Sequence, residues 1–325
     1  MSGVQQFEVA EDDDDTRLDR WFKRIFPNLS HGRVEKLCRT GQIRVDGGRV
    51  KASVRLSAGQ IVRVPPLGEL PPRKPRQTIS LKDDEAAELQ SLVLYRDRDV
   101  LAFNKPAGLA VQGGTGTTRH LDAMLDSLKF DAEERPKLVH RLDKDTSGVL
   151  LLARSTKAAK SLTEAFRHRL TRKVYWALVH GVPRPLEGKI DAKLAKMPVQ
   201  GGETMQIDPR NGKPAVTYYA VVEKAAQKAA WVALMPVTGR THQLRVHLAA
   251  IETPVVGDQK YGADALPLSG LSGKLHLHAR EISLRGPNGK MLNLQAPLPE
   301  HMLKTWKFFD LNAKDDGNPF EELEL

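Results

Sequence analysis

His140 to Gly148 reads HRLDKDTSG, and the segments on either side decide where it lies. Leu138 and Val139 read as the end of a strand, and Gly148 to Ala153 (GVLLLA) reads as a fully buried one. The nine residues therefore form a charged turn between two apolar strands, which places the carboxylates of Asp143 and Asp145 at a strand edge. Asp145, with Thr146 and Ser147, fits the ordinary role of a turn residue that hydrogen-bonds its own backbone. Asp143 lies between Leu142 and Lys144, with Arg141 just before, and nothing local demands a charge there.

A second run, Gly239 to His247 (GRTHQLRVH), follows the strand-like segment Trp231 to Val237. Thr241 is placed to cap a helix whose apolar positions are Leu244, Val246, Leu248 and Ile251. Arg240 falls at its start and Arg245 one turn in. A carboxylate and a guanidinium on separate buried elements stabilise each other's charge, whereas each alone is costly to bury. Pairing Asp143 with Arg245 predicts an ionised aspartate.

With Asn104 to Gly108 (NKPAG) and Lys173 to Gly181 (KVYWALVHG), these runs resemble, in order and spacing, the RluA-type pseudouridine synthases over roughly residues 90 to 305. The resemblance implies that Asp143 is the catalytic aspartate, Tyr175 the active-site tyrosine and Arg245 the basic partner of the aspartate. It implies also that Arg141 helps displace the target base. One departure is Gln112, where relatives often carry His. The implied reaction breaks the N1–C1' bond of uridine, turns the uracil and joins C5 to C1', so it needs no cofactor and no energy source. Asp143 would attack C1' or abstract a sugar proton, and both routes need an anion beside the ribose. Tyr175 would stack on or hydrogen-bond to the uracil, with removal of the C5 proton as a further role. The base leaves its helix first, and Arg141 would offset that cost by filling the vacated stack.

The chain has 325 residues and a net charge of +10, enough for two domains. No apolar run approaches the roughly 20 residues that span a bilayer, and the N-terminus lacks a secretory pattern, which predicts a cytoplasmic protein. Cys38, the only cysteine, excludes an intramolecular disulfide and thiolate clusters, and is expected to pack in a helix. Residues 1–15 hold six acids and no base, residues 16–76 hold 15 bases and four acids. A segment that basic points to a polyanionic partner.

Within it, Leu18, Trp21, Phe22, Ile25 and Phe26 form one stripe of an amphipathic helix, capped by Asp15 or Thr16 and ended by Pro27. Ser30 caps a second helix carrying Val34, Leu37 and Cys38 inward and closed by Gly41, with Arg33, Lys36 and Arg39 left outside as RNA contacts. Ile43 to Val45, an Asp46-Gly47-Gly48 turn and a strand from Gln60 to Val64 complete a unit that resembles an S4 RNA-binding domain, which grips structured RNA by phosphates and shape.

The expected organisation is an acidic N-terminal segment (1–15) with solvated charges at Asp12 to Asp15, an S4-type domain (16–65), a proline-rich linker (66–80), a catalytic domain (81–309) and a fraying acidic tail (310–325), where Phe320 has the chance to dock. In the larger domain, strands are expected at Leu92–Tyr95, Val100–Phe103, Val149–Ala153, Val174–Val179, Ala215–Val222, Trp231–Met235, His276–Leu284 and Met291–Gln295, with a clear helix at Ser155–Leu170. That pattern predicts an α+β fold with a largely antiparallel mixed sheet.

Several motifs carry less. Gly113 to Thr118 (GGTGTT) lacks the ending of a P-loop, so no nucleotide cofactor is expected. Lys105 and Arg240 are further RNA-contact candidates, Lys105 being equally a strand-ending lysine. His276 and His278 share a strand face without a third ligand, so no metal is expected. His140 supports the turn rather than acting as a base. The resemblance to the RluA-type synthases implies 23S ribosomal RNA or its large-subunit precursor as partner, with the protein expected to act as a monomer. Other large-subunit uridines, or a mainly RNA-binding role in ribosome assembly, are the alternatives. A glycosidase using Asp143 and Asp145 needs carboxyl groups roughly 5 to 9 Å apart across a sugar, a geometry that one turn suits poorly.

Overall fold

The computed structural model describes residues 3–70, 78–114, 117–168, 170–199, 202–225, 227–265, 268–313 and 319–320, in two compact units, Met1–Gln77 and Thr78–Leu325.

The first unit contains β1 (Gln5–Glu8), α1 (Leu18–Ile25), α2 (His31–Arg39), β2 (Arg44–Val45), β3 (Gly48–Arg49) and β4 (Ile61–Val64), with sheet order β1-β4-β2-β3. The amphipathic stripe behaves as its spacing predicts. Leu18, Trp21, Phe22 and Phe26 are buried beside Val34, Cys38 and Ile43, and Phe7 meets Trp21 and Phe26 edge-on at 5.8 and 5.5 Å. The Ser30 hydroxyl accepts the Arg33 backbone N–H at 3.4 Å, the expected cap of α2.

Three expectations here need correction. The residue before α1 is Arg17, without a side-chain cap, and its guanidinium grips Asp19 at 2.6 Å. Asp15 adopts a left-handed backbone instead. The described residues 3–15 of the expected acidic segment 1–15 are not a separate solvated stretch, because β1 pairs along its length with β4 and Asp13 is buried against Arg24. A carboxylate shielded from water there is tolerated because a guanidinium neutralises it. Finally, not all of 66–80 is spacer. Leu67 and Leu70 belong to the first core, and the Ile79 N–H donates to the Ala123 carbonyl in the second unit. The expected prolines 71, 72 and 75 lie outside the described residues.

The second unit runs α3 (Asp83–Ser91), β5 (Val93–Arg96), β6 (Val100–Lys105), α4 (Leu121–Met124), β7 (Lys137–Leu138), β8 (Ser147–Ala153), α5 (Thr156–Arg167), β9 (Arg172–His180), β10 (Glu187–Asp191), β11 (Leu194–Val199), β12 (Gly202–Ile207), β13 (Val216–Ala225), β14 (Ala229–Pro236), α6 (Gln243–Ala250), β15 (Leu277–Arg285), β16 (Met291–Gln295) and α7 (Glu300–Phe308). Its main sheet has the order β10-β13-β14-β9-β15-β8-β6-β5, with β16 beside β15 and β7 beside β8. Every described pairing is antiparallel except β15 with β8. The fold is α+β with a largely antiparallel mixed sheet, as expected. β11 and β12 form a separate hairpin. β8 and β14 are buried at every residue, which is why both read as unbroken apolar runs.

The described part of the tail, residues 310–313 and 319–320, contributes to the core. Leu311 and Phe320 are buried in the cluster holding Trp231 and Trp306, because burying an aromatic side chain offsets the cost of fixing the backbone around it.

Three fully buried histidines, His247, His276 and His278, give the unit a pH limit. Burial is the main cause that pushes each from the ordinary 6.5 down to about 4. Between those values the unfolded chain binds the protons and the folded chain does not, so stability is full above 6.5 and is lost as pH falls toward 4. These three linked protons alone contribute a slope approaching about 4 kcal/mol per pH unit. Denaturant titrations across that range should show this slope, and a flat profile would mean the three rings are protonated in the fold.

Candidate active site

The turn carrying Asp143 is fixed from several sides. Gly148, the second residue of β8, has φ +110°, and a Cβ there would lie 2.2 Å from the Ala279 carbonyl oxygen, so only glycine lets β8 run beside β15. Behind the turn, Ser147 shares a 2.9 Å hydrogen bond with His278 Nδ1. Ahead of it, His140 Nε2 accepts the Leu151 backbone N–H at 2.7 Å while the ring stacks on Phe166. Burial and nearby Lys173 push His140 down to about 3. A ring whose Nε2 is occupied in this way supports the turn and is a poor base, as expected.

A fourth anchor is Lys105, and it corrects a prediction. Its side chain is wholly buried, and its ammonium donates to the carbonyls of Pro106 (2.9 Å), Leu109 (2.9 Å) and Lys144 (2.8 Å). Burial pushes it down to about 7, against the pull of Asp145 and Asp143. Three acceptors take all three N–H groups, which leaves none for an RNA phosphate. Lys105→Met should therefore orphan the three carbonyls and lower stability by about 3 kcal/mol. Turnover should fall while RNA affinity stays unchanged, because the loosened turn carries Asp143. Chemical denaturation and binding titrations on the same preparation check both parts, and weakened RNA binding at unchanged stability would restore the phosphate role.

Asp143 opens onto a cleft of about 470 Å³ whose walls include Arg141, Asp143, Tyr175, Arg240, His242 and Arg245. That volume suits a single nucleotide-sized ligand. Four predicted residues from three chain segments thus meet Asp143 in one place. Tyr175 lies on β9 opposite Ala279 of β15 and Leu234 of β14, near the middle of the sheet. Burial first, and Asp143 second, raise its phenol well above the usual tyrosine value. Tyr175 therefore stays protonated at neutral pH, which argues against removal of the C5 proton by a phenolate and favours stacking or hydrogen bonding. Arg141 is exposed, and among the described residues it makes no hydrogen bond or ion pair. Arg240 donates to the Pro214 carbonyl at 3.0 Å. Arg33 donates to the Leu67 carbonyl at 2.5 Å, whereas Lys36 and Arg39 are exposed on α2.

Arg245 is in the cleft, but its partner is not the expected one. Its Nε and NH2 donate to Asp258 at 2.6 Å each, with both side chains nearly free of water. Asp258 also accepts the backbone N–H groups of Lys260 and Tyr261 at 2.9 and 3.0 Å. The Arg245 guanidinium sits 5.0 Å from the centroid of the Tyr261 ring. Asp143 reaches Arg245 only through space, among the charges that raise the arginine further. A planar guanidinium buried this deeply needs a two-oxygen acceptor, and Asp258 provides it.

The N-cap of α6 is likewise not Thr241, which is exposed, but His242, at φ 52° and ψ 19°. A left-handed backbone costs a non-glycine residue about 1 to 3 kcal/mol and persists where its surroundings enforce it. Those surroundings are visible. Gln243, the first helical residue, uses its side-chain oxygen to accept the Thr238 hydroxyl (2.7 Å) and the Arg240 N–H (3.0 Å), while its amide donates to Val216 and Thr217. His242 Nδ1 lies 2.8 Å from the Tyr261 hydroxyl. Asp258, Tyr261 and Gln243 escape a reading of the sequence, although the burial of Arg245 in a helix was itself a signal that some carboxylate must face it.

Comparison with known proteins agrees with both units. The model of the RNA pseudouridylate synthase family matches residues 99–250, and that of the S4 domain matches residues 16–62. The ribosomal large subunit pseudouridine synthase C of Rickettsia bellii is 35% identical over 88% of this chain and 95% of its own. The protein of the same name from Vibrio vulnificus is 36% identical over 93% and 95%. Among solved structures, human RNA pseudouridylate synthase domain containing 4 aligns with TM-score 0.59 and 32% identity, over 70% of this chain and 96% of that one.

Proposed function

Because the chain belongs to the RNA pseudouridylate synthase family, we propose that it converts specific uridines of 23S ribosomal RNA, or of its large-subunit precursor, to pseudouridine. The observation that carries the choice of RNA is identity over nearly the whole of both chains to proteins named for the large ribosomal subunit, the S4-bearing unit included.

In this reading the target base is turned out of its helix, and Arg141, exposed at the cleft without a partner among the described residues, takes its place in the stack. The ribose then meets Asp143. The carboxylate attacks C1' or takes a sugar proton, the bond to N1 breaks, and the freed uracil turns beneath Tyr175 until C5 faces C1'. Arg245 contributes positive field from behind, its geometry fixed by Asp258. Lys36 and Arg39 of α2, in the basic first unit, are the residues assigned to phosphate contact. The protein acts as a monomer in the cytoplasm. No described helix is long and apolar enough to cross a membrane.

Chemical mapping of pseudouridine in ribosomal RNA from cells with and without this protein tests the assignment. Loss of discrete large-subunit positions is expected, and identical maps would overturn the choice of RNA.

A further inference from the structure

His242 holds a left-handed backbone and lines the cleft beside Asp143, outside the roles assigned to Asp143, Tyr175, Arg141 and Arg245. The Tyr261 hydroxyl accepts the Met205 backbone N–H at 3.2 Å and stands 3.4 Å from the Thr204 hydroxyl, which donates to it. Its own proton must go elsewhere, and His242 Nδ1, at 2.8 Å, is the closest acceptor. The Arg245 guanidinium over the phenol ring withdraws electron density and strengthens that donation. The imidazole is thereby fixed with Nδ1 accepting and Nε2 carrying the hydrogen. Among the described residues no hydrogen bond occupies Nε2. The charged groups around the ring are Asp143, Arg245, Lys260 and Asp258. Burial, with Arg245 and Lys260, holds it below the ordinary histidine range against the opposite pull of the two aspartates, so at neutral pH it is a neutral donor.

We propose that His242 touches the substrate, its Nε2–H donating to a carbonyl oxygen of the uracil as the base separates from the ribose. When the C1'–N1 bond breaks, its electron pair moves to N1 and spreads onto O2 and O4, while Asp143 takes C1' or the sugar proton. His242 transfers no proton. It stabilises the negative charge on the base and holds the ring until C5 supplies the electron pair of the new bond to C1', as Asp143 leaves C1' with its own bonding pair or returns the proton it took from the sugar, after which the C5 proton is lost to solvent and N1 is protonated. A neutral donor suits this task, because an imidazolium would pair with Asp143 and remove the anion the reaction needs. The inference rests on the isomerase reading and adds a residue to it.

Single-turnover conversion of a uridine-containing transcript, with RNA affinity measured alongside, tests the proposal. His242→Ala should slow conversion on the order of 100-fold with affinity unchanged, the usual size of effect for one lost donor to a developing anion. His242→Gln, whose amide nitrogen falls near Nε2, should recover most of that rate. Tyr261→Phe, which frees the tautomer, should lie between. Asn tolerates left-handed backbone, so His242→Asn serves as a folded but short-reaching control and should stay slow should the alanine variant prove unstable. Nitrogen-15 NMR of the wild type should show the Nε2–H form. Wild-type rates in the Ala and Asn variants, an Nδ1–H tautomer, or weakened RNA affinity at an unchanged rate would each overturn the proposal, the last by pointing to a phosphate contact. Asp143→Asn separates the two readings. An inactive Asp143→Asn beside a fully active His242→Ala rejects this inference and leaves the isomerase intact, whereas a wild type inert on every transcript would reject the isomerase reading.

Discussion

Asp143→Asn should reduce conversion of uridine by at least about four orders of magnitude, a loss of roughly 5.5 kcal/mol in transition-state stabilisation. The substitution keeps the size and shape of the side chain and removes the negative charge that both chemical routes require, attack on C1' or removal of a sugar proton. Among the described residues no hydrogen bond or ion pair uses that charge, which acts on Lys105 and Arg245 only through space. The turn is held by the Lys105 ammonium, the Ser147–His278 hydrogen bond and the Gly148 contact with β15, none of which uses the Asp143 side chain. RNA affinity and unfolding midpoint should therefore match the wild type. The test is a tritium-release or mass-based assay on a ribosomal transcript, with filter binding on the same samples. An undiminished rate would remove Asp143 from the mechanism. A loss of rate matched by a loss of RNA affinity would move it from chemistry to binding.

How the site could be anticipated, and where anticipation failed, follows from the range of the interactions concerned. β8 and β14 are buried on both faces, so each announces itself as an apolar run, and the charged turns beside them stand out by contrast. The aromatic stripe of α1 and the Ser30 cap of α2 are likewise set by neighbours a few residues away. β1 had no such signal. Its sequence, QQFE, alternates through a single phenylalanine, and its existence depends on pairing with β4, more than 50 residues later in the chain. β10 and β12 are largely polar and β11, although mostly apolar, is largely exposed, so none of the three shows the buried apolar run or clean alternation of a core strand. At the site, motif order brought Asp143, Tyr175 and Arg245 to one cleft, but it could not say which carboxylate Arg245 grips. That choice is made in three dimensions, by the loop after α6 that carries Asp258. Lys105 shows the opposite error. A lysine at a strand end looks like a phosphate contact, and only the carbonyls converging on it reveal a structural bolt.

Asp258→Asn is expected to have the largest effect on stability, a loss of about 3 to 5 kcal/mol, the usual result of removing one partner from a buried ion pair. Asp258 is only 3% exposed and Arg245 only 7%. The variant would leave a buried guanidinium facing an amide that can accept one of its two N–H groups. Burial alone would raise the Asp258 carboxyl, yet Arg245 and the Lys260 and Tyr261 N–H groups hold it below the ordinary carboxylate range. Its stabilisation is therefore complete above the value of an unfolded aspartate and is lost as pH falls through the lower folded value. Activity should fall as well, since Arg245 would lose the orientation that aims its field at the cleft. Loss of fold and loss of field can be separated with the double variant Arg245→Met, Asp258→Leu. An apolar pair of similar volume commonly restores the stability of a buried salt bridge. That protein should melt near the wild type and remain nearly inactive. If it recovers full activity along with its stability, the Arg245–Asp258 pair serves the fold alone, and the positive field assigned to it beside Asp143 is not required for the reaction.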